Sequence, residues 1–159
     1  MILAVTGPRP DKLNGEYAYQ GKFSAWVRNE LAKKFNQYKP DTLLSGLAIG
    51  VDTIAALLAI EMGIPLFAIL PFIGQEIKWT KEAQQLYHKI LAHPKTMVKV
   101  VCEPGYAAWK FQRRNEWLSN ECDTLVGVTD RREGGTKNCL DYAASIHKPI
   151  EIIDLKNIR

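Results

Sequence analysis

Residues 42–70 read TLLSGLAIGVDTIAALLAIEMGIPLFAIL, and this stretch decides the fold. It opens on a short apolar run, Thr42 to Ser45, closed by Gly46. An apolar helical segment follows from Val51 to Met62, with Gly63 at its C′ position and Pro65 just beyond. A second short apolar run, Leu66 to Leu70, ends at Pro71. The runs are strands that are almost wholly apolar, so both of their faces are expected to be covered.

The same alternation extends in both directions. Upstream, Ile2 to Thr6 is a buried strand running into Gly7-Pro8-Arg9. Phe23 to Tyr38 places Phe23, Trp26, Val27, Leu31 and Phe35 at helical spacing. Downstream, Thr80 to Ala92 is a helix with Thr80 as N-cap, and Val98 to Val101 is a strand. Tyr106 to Asn120 is a helix with Trp109, Arg113 and Trp117 on one side. Thr124 to Val128 is a strand, Thr136 to Ile146 a helix and Pro149 to Ile153 a last strand. Such alternation implies an α/β protein, a three-layer Rossmann-like fold with a mostly parallel sheet flanked by helices. At 159 residues, with no fixed-period repeat and no linker, residues 1–159 read as one domain.

Composition narrows the function classes. Hydrophobic residues make up 47% and charged residues 24%, which excludes extended disorder. The net charge of +4 suits a phosphate but does not argue for nucleic acid. Cys102, Cys122 and Cys139 form no metal-like spacing, and His88, His93 and His147 lie in separate segments. Neither a metal nor another cofactor is expected. The first ten residues, MILAVTGPRP, lack the charged start and long apolar run of a signal peptide. No stretch approaches the roughly 20 apolar residues that span a bilayer. A cytoplasmic protein with no membrane partner is expected.

Ligands of parallel sheets bind at the C-terminal ends of the strands, so the loops there are the candidates. In Ser45-Gly46-Leu47-Ala48-Ile49-Gly50-Val51-Asp52, two glycines precede a helix whose first amides suit an anion. Asp52 would repel a phosphate there, and is free instead to cap the helix or meet a ribose hydroxyl. Gly134-Gly135-Thr136 opens the last helix in the same way, with Arg131 and Arg132 nearby. Thr136 is placed to cap that helix or to donate to a phosphate oxygen. Gly7 and Arg9 form a third loop, and Arg114 with Asn115 faces the same crevice from a helix. Trp79 and Tyr106 either stack on a base or pack in the core. No serine sits in a nucleophile elbow.

Together, Thr6-Gly7-Pro8-Arg9, the Ser45–Asp52 loop, Arg113-Arg114-Asn115 and Gly134-Gly135-Thr136 resemble the SLOG superfamily. That group includes the DNA-processing protein DprA (Smf) and the LOG-type nucleotide phosphoribohydrolases. Gly74-Gln75-x-x-x-Trp79 makes the chain most similar to the small YpsA-like branch. The resemblance implies a nucleotide-related ligand, bound or sensed at the strand C-termini through Gly7, Arg9, Ser45, Gly46, Gly50, Asp52, Arg114, Asn115, Gly134, Gly135 and Thr136. LOG enzymes carry glutamates shortly after the threonine, whereas Lys137, Asn138 and Cys139 follow Thr136 here. A LOG-like hydrolysis would therefore fall to Arg114 with Asp52 or Asp141. A DprA-like binding of single-stranded nucleic acid is the further alternative. SLOG relatives self-associate through helix faces, so an exposed Trp109 or Trp117 would suit a homodimer.

Overall fold

A computed structural model describes residues 1–9 and 19–158. Its elements in chain order are β1 (Ile2–Thr6), α1 (Lys22–Tyr38), β2 (Thr42–Ser45), α2 (Val51–Glu61), β3 (Leu66–Leu70), α3 (Lys81–Leu91), β4 (Thr96–Val100), α4 (Ala108–Glu121), β5 (Thr124–Thr129), α5 (Gly135–Ser145) and β6 (Ile150–Asp154). The strands form one six-stranded sheet in the order β4-β3-β2-β1-β5-β6. All five pairings are parallel. Helices cover both faces, which is the α/β Rossmann-like fold expected from the alternation. None of the described helices is long and apolar enough to cross a membrane.

The sequence signals act where physical chemistry says they should. Gly63 at φ +73° ends α2 in a Schellman turn. Its N–H donates to Ile60 O, and the Ile64 N–H donates to Ala59 O at 2.8 Å. Thr80 caps α3 by accepting the Ala83 N–H at 3.2 Å. Two apolar clusters lie against the sheet. One joins α1, α2 and α3 residues such as Leu31, Phe35 and Leu58 to the strands, and the other is built on Leu118, Cys122, Cys139 and Ala143 of the α4 and α5 side.

One expectation fails at an edge. β4 was expected to be covered like the central strands, yet it carries Lys99, and Met97 and Val98 are 55% and 47% exposed. Its place at the end of the sheet leaves it without a neighbour on one side, and neighbours decide burial more than composition does. On α4, Trp117 packs edge-on against Phe67 at 5.9 Å, so only Trp109 remains exposed of the two tryptophans.

Strand order fixes where a ligand sits. The chain enters at β1 and builds outward through β2, β3 and β4. α4 then carries it back to β5, on the other side of β1. The order reverses between β1 and β5, so the loops leaving these strands diverge and open a crevice.

Candidate functional site

The crevice holds a cavity of about 340 Å³. Thr6 to Arg9 line it from β1, Ala48 and Asp52 from the β2–α2 connection, Phe111, Arg114 and Asn115 from α4, and Gly135 and Thr136 from α5. Residues from four separated segments thus meet in one space. Gly7, Arg9, Asp52, Arg114, Asn115, Gly135 and Thr136 were all expected at the ligand, and the fold brings them together.

The β2–α2 loop behaves differently from the expected phosphate cradle. It spends its amides on the protein itself. The Leu47 N–H donates to Ser45 Oγ, Ala48 N–H to Asp52 Oδ2, Gly50 N–H to Tyr19 Oη and Val51 N–H to Pro8 O. Ser45 Oγ in turn donates to Asp52 O at 3.0 Å. Gly50 sits at φ +103°, and a Cβ there would meet Pro8 O at 2.4 Å. Glycine is required so that the β1 loop can close on the helix start. Likewise Gly7 leaves room for the Val51 side chain. Ser45, Gly46 and Gly50 do not line the cavity; they support its floor from behind.

Arg114 is the centre of that floor. It is only 4% exposed. Its Nη1 donates to Gly46 O at 2.8 Å and its Nε to Asn115 Oδ1 at 2.9 Å. Asn115 Nδ2 extends the chain of contacts to Gly135 O at 3.5 Å. Burial lowers the Arg114 pKa and Asp52 opposes that, while the guanidinium remains charged at any physiological pH. A Cβ on Gly46 would lie 2.4 Å from Arg114 Nη1. Gly46→Ala is therefore expected to push the guanidinium out of its seat rather than unfold the chain. Overpacking of this kind costs about 1–3 kcal/mol. A urea titration measures that cost, and a drop in ligand affinity with the fold retained measures the displacement.

Asp52 is buried at 7% exposure and does not cap α2, since Gly50 holds the N-cap position. Burial pushes its carboxyl up to about 6, against the pull of Arg114, the Ala48 amide and Arg9. The carboxyl is therefore mostly protonated below about pH 6 and mostly charged above it, so it opposes an anion least in mild acid.

At the far wall, α5 starts at the cavity. Gly134 is its N-cap, with no side-chain cap, and Thr136 is the second residue of the helix rather than its cap. Nothing lies within 4 Å of where a Gly135 Cβ would stand. The first amides of a helix have no partner within it and carry the positive end of its dipole. Here they open beside Arg114 and Arg9.

Other expected residues lie elsewhere. The Asp141 carboxylate is exposed, accepts from Lys137 Nζ at 2.8 Å and is not part of the cavity wall. An i,i+4 ion pair on α5 is its physical role. Arg132 pairs with Asp130, and neither Arg131 nor Arg132 lines the crevice. Trp79 packs edge-on against Tyr87 at 5.2 Å, and Tyr106 is 78% exposed beside Phe72 and Phe111. Both border a second cavity of about 1020 Å³. Phe111 was not singled out from the sequence. Its place one helical turn before Arg114 is the signal that would have found it.

The chain as a whole has relatives among known proteins. The family model described as DNA recombination-mediator protein A matches residues 20–157. The chain belongs to this family. A UPF0398 protein of Bacillus pumilus (strain SAFR-032) is 25% identical over 169 residues, covering 99% of this chain and 90% of that protein. DNA processing protein A of Streptococcus pneumoniae superposes with a TM-score of 0.59 at 22% identity, over 94% of this chain. The chain spans only about half, 49%, of that structure. DNA processing protein A of Helicobacter pylori, solved for its single-stranded DNA binding mode, superposes with a TM-score of 0.66 at 18% identity. It is matched over 99% of this chain and 70% of its own length. The SLOG resemblance is thereby borne out, and the two structures share the fold.

Proposed function

We propose that this protein binds a nucleotide or nucleotide-derived ligand by its anionic group, in the crevice between β1 and β5, and acts by sensing or sequestering it. The observation that carries the reading is the convergence of Arg114, Arg9 and the start of α5 on one cavity. A guanidinium, a helix N-terminus and a small hydroxyl residue form the donor set that phosphates meet in proteins. Asp52, held up to about 6, is the one carboxylate lining the cavity among the described residues. As Asp52 deprotonates, it opposes the anion.

The experiment is calorimetric titration with ribose 5-phosphate and with the four nucleoside 5′-monophosphates. It is joined to mass spectrometry of small molecules released when the purified protein is denatured. Saturable binding that Arg114→Met weakens supports the reading. No heat with any of these anions at millimolar concentration contradicts it.

A second reading, binding of single-stranded nucleic acid, is supported by the family and by the exposed Tyr106 and Trp109, with Arg113 placed 5.8 Å over the Trp109 ring. It requires affinity for an oligonucleotide that falls steeply with salt. Hydrolysis of a nucleoside monophosphate is a third reading, supported by the position of Asp52. It requires free base to accumulate from AMP above a denatured control.

A further inference from the structure

The second cavity is about 1020 Å³, three times the first, and it is walled by Phe72, Trp79 and Tyr106. Ile73 and Ile77, at 60% and 73% exposure, stand in its wall beside the 78% exposed Tyr106. Large apolar side chains gathered on an open surface mark a binding place. Lys110 braces this wall. Its ammonium donates to the carbonyls of Glu103, Pro104 and Gly105, so the turn that presents Tyr106 is held from behind.

The two cavities are joined by shared side chains. Arg9 and Phe111 border both. The Phe111 ring lies 5.7 Å from the Arg9 guanidinium and 5.8 Å from that of Arg114. The same ring is 5.5 Å from Phe72 and 6.0 Å from Tyr106. One ring therefore separates the cationic end from the aromatic end. Gln75 is a second link. Its Nε2 donates to Gly46 O, the carbonyl that also accepts from Arg114. That bond fixes the direction of the amide, because a carbonyl only accepts. Gln75 Oε1 is left buried without a hydrogen-bond partner, on a residue 8% exposed in the cavity wall. A buried acceptor left unpaired calls for a partner, and the N–H of a ligand that reaches this wall would supply one.

We infer that the second cavity seats the base of the nucleotide, stacked against Tyr106 and Trp79 with Gln75 as acceptor for a ring or amino N–H, while the phosphate lies at Arg114. This rests on the nucleotide reading above and deepens it. The two cavities adjoin at Arg9 and Phe111, so a single ligand can carry its anion into one and its flat ring into the other. Base stacking on an aromatic side chain contributes enough to be read directly as affinity.

The test compares ribose 5-phosphate, which has no base, with the four nucleoside 5′-monophosphates by calorimetry. The wild-type protein, Tyr106→Ala and Gln75→Leu are used. The expected result is at least one monophosphate bound ten-fold or more tightly than ribose 5-phosphate. Tyr106→Ala should remove most of that difference while leaving ribose 5-phosphate unchanged. Gln75→Leu should reduce it and alter the ranking of the bases. The Tyr106 ring is largely exposed, so its variant keeps the test decisive if Gln75→Leu does not fold. Equal affinity for all five compounds overturns this inference and leaves the anion site standing. A base-dependent difference that survives Tyr106→Ala also overturns it. Absence of binding by every compound overturns both readings.

Discussion

Arg114→Met is expected to lower affinity for a nucleoside monophosphate by about 100-fold or more, and to destabilise the protein by about 2–4 kcal/mol. The two effects share a cause. The guanidinium is nearly inaccessible, and its Nη1 and Nε satisfy Gly46 O and Asn115 Oδ1. Methionine fills similar space but leaves the asparagine oxygen without its donor and Gly46 O with Gln75 alone. Removing one partner of a buried polar contact costs more than the contact contributes. The binding loss follows because Arg114 is the buried cation of the crevice, with Arg9 exposed at its rim. Loss of Arg114 also removes the charge that pulls the Asp52 pKa down, so that carboxyl would titrate higher still. Arg114→Lys does not restore function, because an ammonium cannot meet both acceptors with the fixed fork of a guanidinium. Urea unfolding and calorimetry measure the two effects separately.

Asp52→Asn is expected to act in the opposite direction. The carboxyl titrates near 3.8 in the unfolded chain and about 6 in the fold. Between these values the native state binds more protons than the unfolded state, so stability falls as pH rises through that window. The full cost of the buried charge is present above the folded pKa, and amounts to about 3 kcal/mol at 1.36 kcal/mol per pKa unit. Asparagine mimics the protonated form and keeps an oxygen for the Ala48 N–H. The variant should therefore gain about 1–3 kcal/mol at pH 7, gain little at pH 4, and lose the slope of stability between them. Its affinity for a monophosphate should rise relative to that of the wild-type protein as pH passes through about 6, because the second ionisation of the phosphate, also at about 6, acts on both proteins alike. Urea unfolding and calorimetry at pH 4, 5, 6, 7 and 8 give both curves. A variant less stable than the parent at pH 7 contradicts the account of Asp52.

Much of the fold was legible because the signals were local. Short apolar runs closed by Gly46, Pro71 or Gly7 stopped where the strands stop. Gly63 and Thr80 ended and began helices by backbone chemistry that needs no distant partner. The exposure of β4 was signalled only by Lys99 within it, a residue typical of edge strands, while the order of the strands was not legible. The site was legible as a set of loops, because a parallel sheet brings the C-terminal ends of its strands together. What each loop does there was less so. The amides of the Gly46–Val51 segment are consumed by Pro8, Tyr19, Ser45 and Asp52, and two of these partners come from distant parts of the chain. Gly134 takes the cap position that was one of the two roles open to Thr136. Asp141 is claimed by Lys137 one turn away, a competition that identity alone does not reveal.

The most direct measurement is a crystal structure of the protein soaked with a nucleoside 5′-monophosphate that it binds. The account predicts the phosphate between the Arg114 guanidinium and the amides of Gly135 and Thr136. A phosphate seated against the Gly46–Val51 loop instead, or bound outside the β1–β5 crevice while that crevice holds no part of the ligand, contradicts it.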